Sequence, residues 1–80
     1  MPTAVEQVET TVVETLVEIG AEPQLVTRDA TWDDLDIDSL DLVELIQVVE
    51  ERFGLEIKSD ELADLTTVGQ AIDFIHKRLP

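Results

Sequence analysis

The chain has 80 residues, 44% of them hydrophobic, and its 19 acidic and 5 basic residues give a formal net charge of −14. The length predicts one domain over residues 1–80, and the apolar content is enough for a globular core. So negative a chain would be repelled by phosphates, which argues against nucleic acid and anionic membranes as partners. The absence of cysteine excludes a disulfide framework and a thiolate metal site.

No run of about 20 apolar residues that could cross a membrane occurs in the sequence. Residues 1–9 are polar and acidic, which is unlike a signal peptide. We therefore expect a cytoplasmic protein. The charge also favours encounters with partners that have basic surfaces, and we expect the chain itself to be a monomer.

The first helix is predicted over residues 4–19. Thr3 and Glu6 have the spacing of a capping box, in which a hydroxyl caps the start of a helix. Aliphatic residues then recur at helical spacing up to Ile19, and Gly20 follows, as glycine often does after a helix.

A long loop is predicted over residues 21–38, because no period is sustained there. Loops of this length in small domains are usually functional or contain structure of their own. Residues 31–35 suggest a short helical turn. Trp32 and Leu35 are expected to anchor the loop in the core.

The second helix is predicted from Ser39 to Phe53. Asp38 is a good N-cap residue directly before it, and Gly54 suits its C-terminal end. A short third helix is predicted to begin near Ser59, since acidic residues suit a first turn.

The last helix is predicted to begin after Thr67, which forms a second capping-box pattern with Gln70. An apolar stripe runs from Val68 to Leu79, and basic residues lie at the favoured C-terminal end. The predicted fold is an all-α bundle of three long helices and one short third helix, with a long loop between the first two.

The second helix has two different faces when its residues are placed at about 100° intervals. One arc is apolar and is expected to face the core; it consists of Leu42, Leu45, Ile46, Val49 and Phe53. A second surface begins at Ser39 and mixes aliphatic with polar residues: Leu40, Val43 and Val48 with Asp41, Glu44, Gln47 and Glu51. Residues 29–51 contain nine acids and no Lys or Arg. This pattern suits a transient partner with basic residues around an apolar patch, although an ordinary solvated face has a similar composition.

Calcium binding is one interpretation of the alternating acids Asp34, Asp36 and Asp38, which occupy the first ligand positions of an EF-hand loop. The loop would need glycine at its sixth position and glutamate at its twelfth, where this chain has Ser39 and Leu45. A dedicated metal site is therefore not predicted, while loose divalent binding by the acidic surface stays open.

Catalytic residues are not predicted. His76 is the single histidine, lies far in sequence from Ser39, and is interpreted as a surface residue. No glycine-rich phosphate loop is present. Ser39 itself is open to two interpretations: an ordinary residue of the first helical turn, or a hydroxyl presented to an incoming enzyme at a helix end that favours phosphate.

The chain resembles the acyl carrier proteins, the discrete carriers of fatty-acid and polyketide synthesis. The resemblance centres on Asp38-Ser39-Leu40 and covers most of the chain, including the long first loop and the short third helix. It continues through Asp41-Leu42-Val43-Glu44-Leu45, Glu50-Glu51-Arg52-Phe53-Gly54, Glu56-Ile57 and Leu65-Thr66-Thr67-Val68-Gly69.

The resemblance implies that Ser39 is the attachment point of 4′-phosphopantetheine, delivered from coenzyme A by a phosphopantetheinyl transferase with Mg²⁺. The carrier would have no catalytic activity and would present thioesters to ketosynthases, acyltransferases, ketoreductases and other synthase enzymes. Positions matching the partner-recognition surface are Asp38, Leu40, Asp41, Val43, Glu44, Gln47, Glu50 and Glu51. Positions matching the lining of the core, where some carriers hold the acyl chain, are Leu42, Leu45, Ile46, Val49 and Phe53.

The sequence also departs from the pattern of many fatty-acid carriers, which have Gly-Ala where this chain has Asp36-Ile37. These departures leave the choice between fatty-acid and polyketide pathways open. The alternatives are a peptidyl carrier of nonribosomal synthesis, which usually has a different tripeptide before the serine, and an acidic helical protein that binds divalent cations or acts as an adaptor.

Overall fold

The computed structural model describes residues 3–79, and this part of the chain contains four α-helices. They are α1 (Ala4–Ile19), α2 (Ser39–Phe53), α3 (Ser59–Ala63) and α4 (Val68–Arg78), with a 3₁₀ turn at Pro23–Leu25. The predicted all-α fold, with three long helices and a short third one, is confirmed. Within residues 3–79, no helix is both long and apolar enough to span a membrane.

Local capping explains where the long helices begin. The Thr3 hydroxyl accepts a hydrogen bond from the Glu6 amide at 3.2 Å, and the Thr67 hydroxyl accepts one from the Gln70 amide at 3.2 Å. The second predicted capping box is altered, because the Gln70 side chain accepts from the Thr66 amide, at 2.7 Å, one residue before the expected donor. The caps thus satisfy amides that the helices leave free at their N-terminal ends.

The core is one cluster of buried side chains to which every helix contributes. Burial of this apolar surface is the main force that holds so short a chain together. Phe53 is half-buried and packs against the edge of the cluster, so it contributes less than a core residue would. Within residues 3–79, the side chains with no exposed surface are Val8, Val12 and Leu16 of α1, Leu45 and Val49 of α2, Leu62 of α3, and Ala71 and Ile75 of α4.

The loop between α1 and α2 is anchored as predicted. Trp32 and Leu35 are 9% and 5% exposed, and the Trp32 indole N–H donates to the Leu65 carbonyl at 3.0 Å. The region predicted as a short helical turn is a series of turns, in which Thr31 and Asp34 cap each other's amides. The loop therefore contains structure of its own, including a 3₁₀ turn for which the sequence showed no periodic signal.

The start of α4 is also bonded to this loop. The Gly69 amide donates to the Arg28 carbonyl and the Val68 amide to the Ala30 carbonyl, both at 2.9 Å. Arg28 continues the connection through its guanidinium, which lies 2.8 Å from the Asp73 carboxylate and 3.5 Å from that of Glu9. The hydrogen bond and charge of Asp73 raise the pKa of Arg28. The loop thereby joins α1 to α4.

Replacing Gly69 with alanine is expected to destabilise the bundle. An added Cβ would lie 2.9 Å from the Arg28 carbonyl oxygen and 3.1 Å from the Arg28 Cβ, so the loop backbone would have to move. Overpacking of this kind costs about 1–3 kcal/mol, against a gain in helix propensity of at most about 1 kcal/mol. Thermal unfolding followed by circular dichroism should show a lower midpoint for Gly69→Ala. The control is Lys77→Ala, an exposed site on the same helix, and a midpoint raised equally in both variants would contradict the close approach.

Candidate functional site

Ser39 is the first residue of α2, and its side chain is exposed. Asp38 caps the helix as predicted: its carboxylate accepts from the Asp41 amide at 3.0 Å. The Asp41 carboxylate in turn accepts from the Asp38 amide at 3.2 Å, which completes a capping box. The Ser39 hydroxyl takes part in none of the hydrogen bonds found within residues 3–79. The hydroxyl is therefore accessible from solvent, at the capped start of α2.

The backbone before Ser39 makes a sharp turn at Asp36, whose φ is 58°. This left-handed region is unfavourable for most side chains, and aspartate is among the residues that tolerate it best. The turn allows both flanking residues to be buried, Leu35 at 5% and Ile37 at 7% exposure. The buried side chains of Leu35 and Ile37, together with the capping box, thus fix the position of Ser39 at the start of α2.

The three alternating acids have separate local environments. Asp34 accepts from the Thr31 amide at 3.2 Å, Asp38 caps α2, and Asp36 occupies the exposed turn. Among the described residues, no group of three or more His, Cys, Asp or Glu side chains is arranged to hold a metal ion. The acids in this stretch serve turns and caps.

The two faces predicted for α2 are present. Four of the five residues of the core arc are buried, since Leu42, Leu45, Ile46 and Val49 are at most 5% exposed. Phe53, at the last turn, is half-buried, so its predicted core position is corrected to the edge of the core. On the opposite side, Leu40 is 77% and Val43 39% exposed, with exposed polar residues around them. We call this second surface the outer face of α2; it consists of Leu40, Val43, Glu44, Gln47 and Glu51.

Two other predicted recognition residues have internal roles. Asp41 belongs to the capping box, and Glu50 is half-buried and accepts from the Ile57 amide at 3.1 Å. The Asp-x-x-Asp spacing of Asp38 and Asp41 is a sequence signal for the capping box. Nothing in the sequence indicated the contact of Glu50 with the Ile57 amide, because Ile57 lies in an irregular segment after the helix.

A shallow cleft of about 200 Å³ opens beside Ser39. Of the five residues predicted to line an acyl site, Leu42 lies in this cleft, while Leu45, Ile46 and Val49 are buried in the packed core and Phe53 lies at its edge. Two residues of α3 also line the cleft, and their presence there was not predicted. The cleft is lined by Ser39, Leu40, Leu42 and Val43 of α2 and by Asp60 and Ala63 of α3.

The outer face of α2 borders an open groove of about 680 Å³ against the C-terminal half of α1. Ile19 and Val48 contribute half-buried apolar surface, and Glu18 adds a carboxylate from α1. The acidic surface therefore extends beyond one helix.

Comparison with known proteins agrees with this geometry. A sequence profile of the family described as "Phosphopantetheine attachment site" matches residues 10–75. The acyl carrier protein of Phenylobacterium zucineum is 44% identical over 80 residues, covering 99% of this chain and 98% of the relative. The acyl carrier protein of Rubrobacter xylanophilus is 47% identical over 58 residues, or 71% of this chain and 72% of the relative.

More specialised carriers are also similar. The meromycolate extension acyl carrier protein of Mycobacterium tuberculosis is 38% identical over 79 residues, which is 96% of this chain and 69% of the relative. The solution structure of the 3,7-dioxo-octyl actinorhodin acyl carrier protein from Streptomyces coelicolor has a TM-score of 0.71 at 25% identity, covering 92% of this chain and 87% of that one. This chain therefore belongs to the acyl carrier proteins, which act through a covalently attached 4′-phosphopantetheine group.

Proposed function

We propose that Ser39 is the residue that carries the 4′-phosphopantetheine group. The observation that supports this most directly is an exposed hydroxyl at the capped start of α2 that forms no hydrogen bond within the described residues 3–79. A bulky group attached there would meet solvent on one side and the apolar cleft on the other, and no packed side chain would have to move. Ser39 and the apolar lining of the cleft beside it therefore leave room for a phosphopantetheine group.

Attachment requires a separate transferase. The Ser39 oxygen would attack the phosphorus next to the pantetheine group of coenzyme A and form a new oxygen–phosphorus bond. The phosphoanhydride bond would break, adenosine 3′,5′-bisphosphate would leave with Mg²⁺ stabilising its charge, and the serine proton would pass to a base of the transferase. The chain's own contribution is to hold the hydroxyl exposed and in a fixed position.

The attached group supplies a terminal thiol, on which acyl or polyketide intermediates are held as thioesters. We propose that the chain performs no bond chemistry on these intermediates and presents them to ketosynthases, acyltransferases and ketoreductases. We propose the outer face of α2, together with the exposed Asp38 before it, as the surface that these enzymes recognise. Its apolar centre and acidic rim suit a partner with arginine or lysine around an apolar patch. A cytoplasmic location and a monomeric state stay predictions.

The attachment is tested by intact-mass analysis of the full chain after incubation with coenzyme A, Mg²⁺ and a promiscuous phosphopantetheinyl transferase. We expect the mass of one phosphopantetheine group to be added, and fragmentation to assign it to Ser39. Ser59 is the other serine of the chain and serves as the internal comparison. No gain in mass would favour an unmodified acidic adaptor, and a modification mapped to another residue would refute the assignment.

The recognition surface is tested by reversing two charges on it. Glu44→Lys with Glu51→Lys should slow association with the transferase roughly tenfold or more at low salt, because like-signed surfaces repel during encounter. The measurement is kcat/KM of loading as a function of salt concentration. Both residues are exposed, so the helical circular dichroism should stay unchanged.

The matched control is Glu14→Lys with Glu22→Lys, which makes the same change in net charge at exposed positions outside the outer face of α2. A specific surface predicts a smaller effect for this pair. Equal slowing in both double variants would indicate that net charge alone steers the partner.

A further inference from the structure

The helix α3 has little local support. It has five residues, Ser59–Ala63, well below the length at which a helix is stable by itself. Its N-cap residue is Lys58, whose ammonium group has no lone pair to accept from a helix amide. Leu62 is its one fully buried side chain among those described. The position of α3 must therefore depend on contacts with the rest of the bundle.

Arg78, the last residue of α4, makes several of these contacts. Its guanidinium lies 3.0 Å from the Glu61 carboxylate of α3 and donates to the Glu56 carbonyl at 3.4 Å. It also stacks over the ring of Phe74, with 4.8 Å between the guanidinium carbon and the ring centroid. The ring lies one turn earlier on the same helix, so stacking orients the guanidinium before it reaches α3.

Glu61 connects Arg78 to the start of α3. One of its carboxylate oxygens binds the Arg78 guanidinium, and the other accepts from the Lys58 amide at 3.4 Å. The segment before α3 is held from the opposite side by Glu50 of α2, which accepts from the Ile57 amide at 3.1 Å. Thus α2 and α4 both fix the approach to the short helix.

The other side of α3 forms one wall of the cleft beside Ser39, through Asp60 and Ala63. A displacement of α3 would widen or remove this cleft while leaving the α2 wall intact. Small elements with few buried contacts open most readily in a native protein. The contacts of Arg78 therefore act on the cleft from a distance, through α3.

We infer that Arg78 is a positioning residue that holds α3 in place and thereby maintains the cleft in which an acyl segment attached through Ser39 is shielded from water. This inference rests on the proposed attachment at Ser39. The cleft, at about 200 Å³, is smaller than the roughly 300–1,000 Å³ pockets that enclose drug-sized ligands, so it shields only a short apolar segment. The effect of Arg78 should consequently depend on whether the cargo has apolar surface to bury.

The test compares two cargoes on the full chain. The transferase loads Ser39 from octanoyl-coenzyme A or acetyl-coenzyme A, and the cleavage of each thioester by hydroxylamine is followed by intact mass. In Arg78→Gln, the octanoyl thioester should be cleaved roughly two- to fivefold faster than in the unaltered chain, a change of the size expected on losing an exposed ion pair. The acetyl thioester, with little apolar surface, should be cleaved at an unchanged rate.

Amide hydrogen exchange on the loaded protein supplies a second readout. The Asp64 amide, which donates to the Asp60 carbonyl at the end of α3, should exchange faster in Arg78→Gln by a similar factor. The Val12 amide in α1 should exchange at its original rate. Arg78→Lys keeps the charge but loses the forked geometry of the guanidinium, so it should give intermediate rates of thioester cleavage and amide exchange. If Arg78→Gln does not fold, Arg78→Lys takes its place in the test.

Lys77→Gln is the matched control. It removes the same charge from the neighbouring residue, which is exposed and forms no ion pair within residues 3–79. If Arg78→Gln and Lys77→Gln behave alike, or if both cargoes are cleaved faster to the same extent, Arg78 does not position the cleft. If no variant and not even the unaltered chain gains mass, the attachment at Ser39 fails instead, so the two failures are distinguishable.

Discussion

Ser39→Ala is expected to abolish the gain in mass on incubation with coenzyme A and the transferase, while leaving the midpoint of thermal unfolding nearly unchanged. The loss should be complete, because alanine has no oxygen to form the phosphodiester. The fold should tolerate the change, because the Ser39 side chain is exposed and the capping of α2 is carried by Asp38 and Asp41. Alanine is also a strong helix former.

The control for this result is Ser59→Ala, which removes the other hydroxyl of this type. It should gain mass at the rate of the unaltered chain. Asp38→Ala, unlike Ser39→Ala, should destabilise the fold, because loss of the N-cap should lower the free energy of unfolding by about 1 kcal/mol. A mass gain that persists in Ser39→Ala would refute the assigned attachment point.

Leu45→Ala is expected to lower the free energy of unfolding by about 2–5 kcal/mol, the cost of truncating a leucine in a packed core. Leu45 has no exposed surface and lies in the middle of α2, where its side chain meets the common core cluster. In a chain of this size, each 1 kcal/mol corresponds to a shift of roughly 4–8 °C in the unfolding midpoint. Thermal or urea unfolding followed by circular dichroism would measure it.

Leu40→Ala is the matched control, since it makes the same chemical change on the same helix at a side chain that is 77% exposed. Its free energy of unfolding should change by no more than about 0.5 kcal/mol, as is usual for surface positions. Its loading by the transferase should instead become slower if the outer face of α2 is recognised. Equal destabilisation by the two variants would contradict the orientation of α2.

The helices could be predicted because their signals are local. Capping residues, the period of the apolar side chains and the glycines after α1 and α2 all lie within a few residues of the helix ends, so the limits of α1 and α2 agree with the structure. The two faces of α2 follow from the same period. Periodicity and spacing left Ser39 open between two interpretations, and the resemblance to acyl carrier proteins is what favours it as the proposed attachment point.

The features that could not be predicted depend on contacts between different helices or with irregular segments. Glu50 pairs with the Ile57 amide, and Arg78 reaches Glu61 across the surface of the bundle. The cleft beside Ser39 needs α3 as a second wall, and the sequence of α2 contains no information about that neighbour. Of the five residues that the resemblance implies as the lining of an acyl site, Leu42 borders this cleft, and the role of all five in holding an acyl chain stays a prediction.

Trp32 is the single tryptophan of the chain, which has no tyrosine. Its indole is nearly buried and bonded to the Leu65 carbonyl, in the short connection between α3 and α4. Ultraviolet fluorescence from this protein consequently comes almost entirely from one ring at the junction of the long loop with that connection. The chain contains its own optical reporter, without any label, for rearrangements next to the helix that borders the cleft.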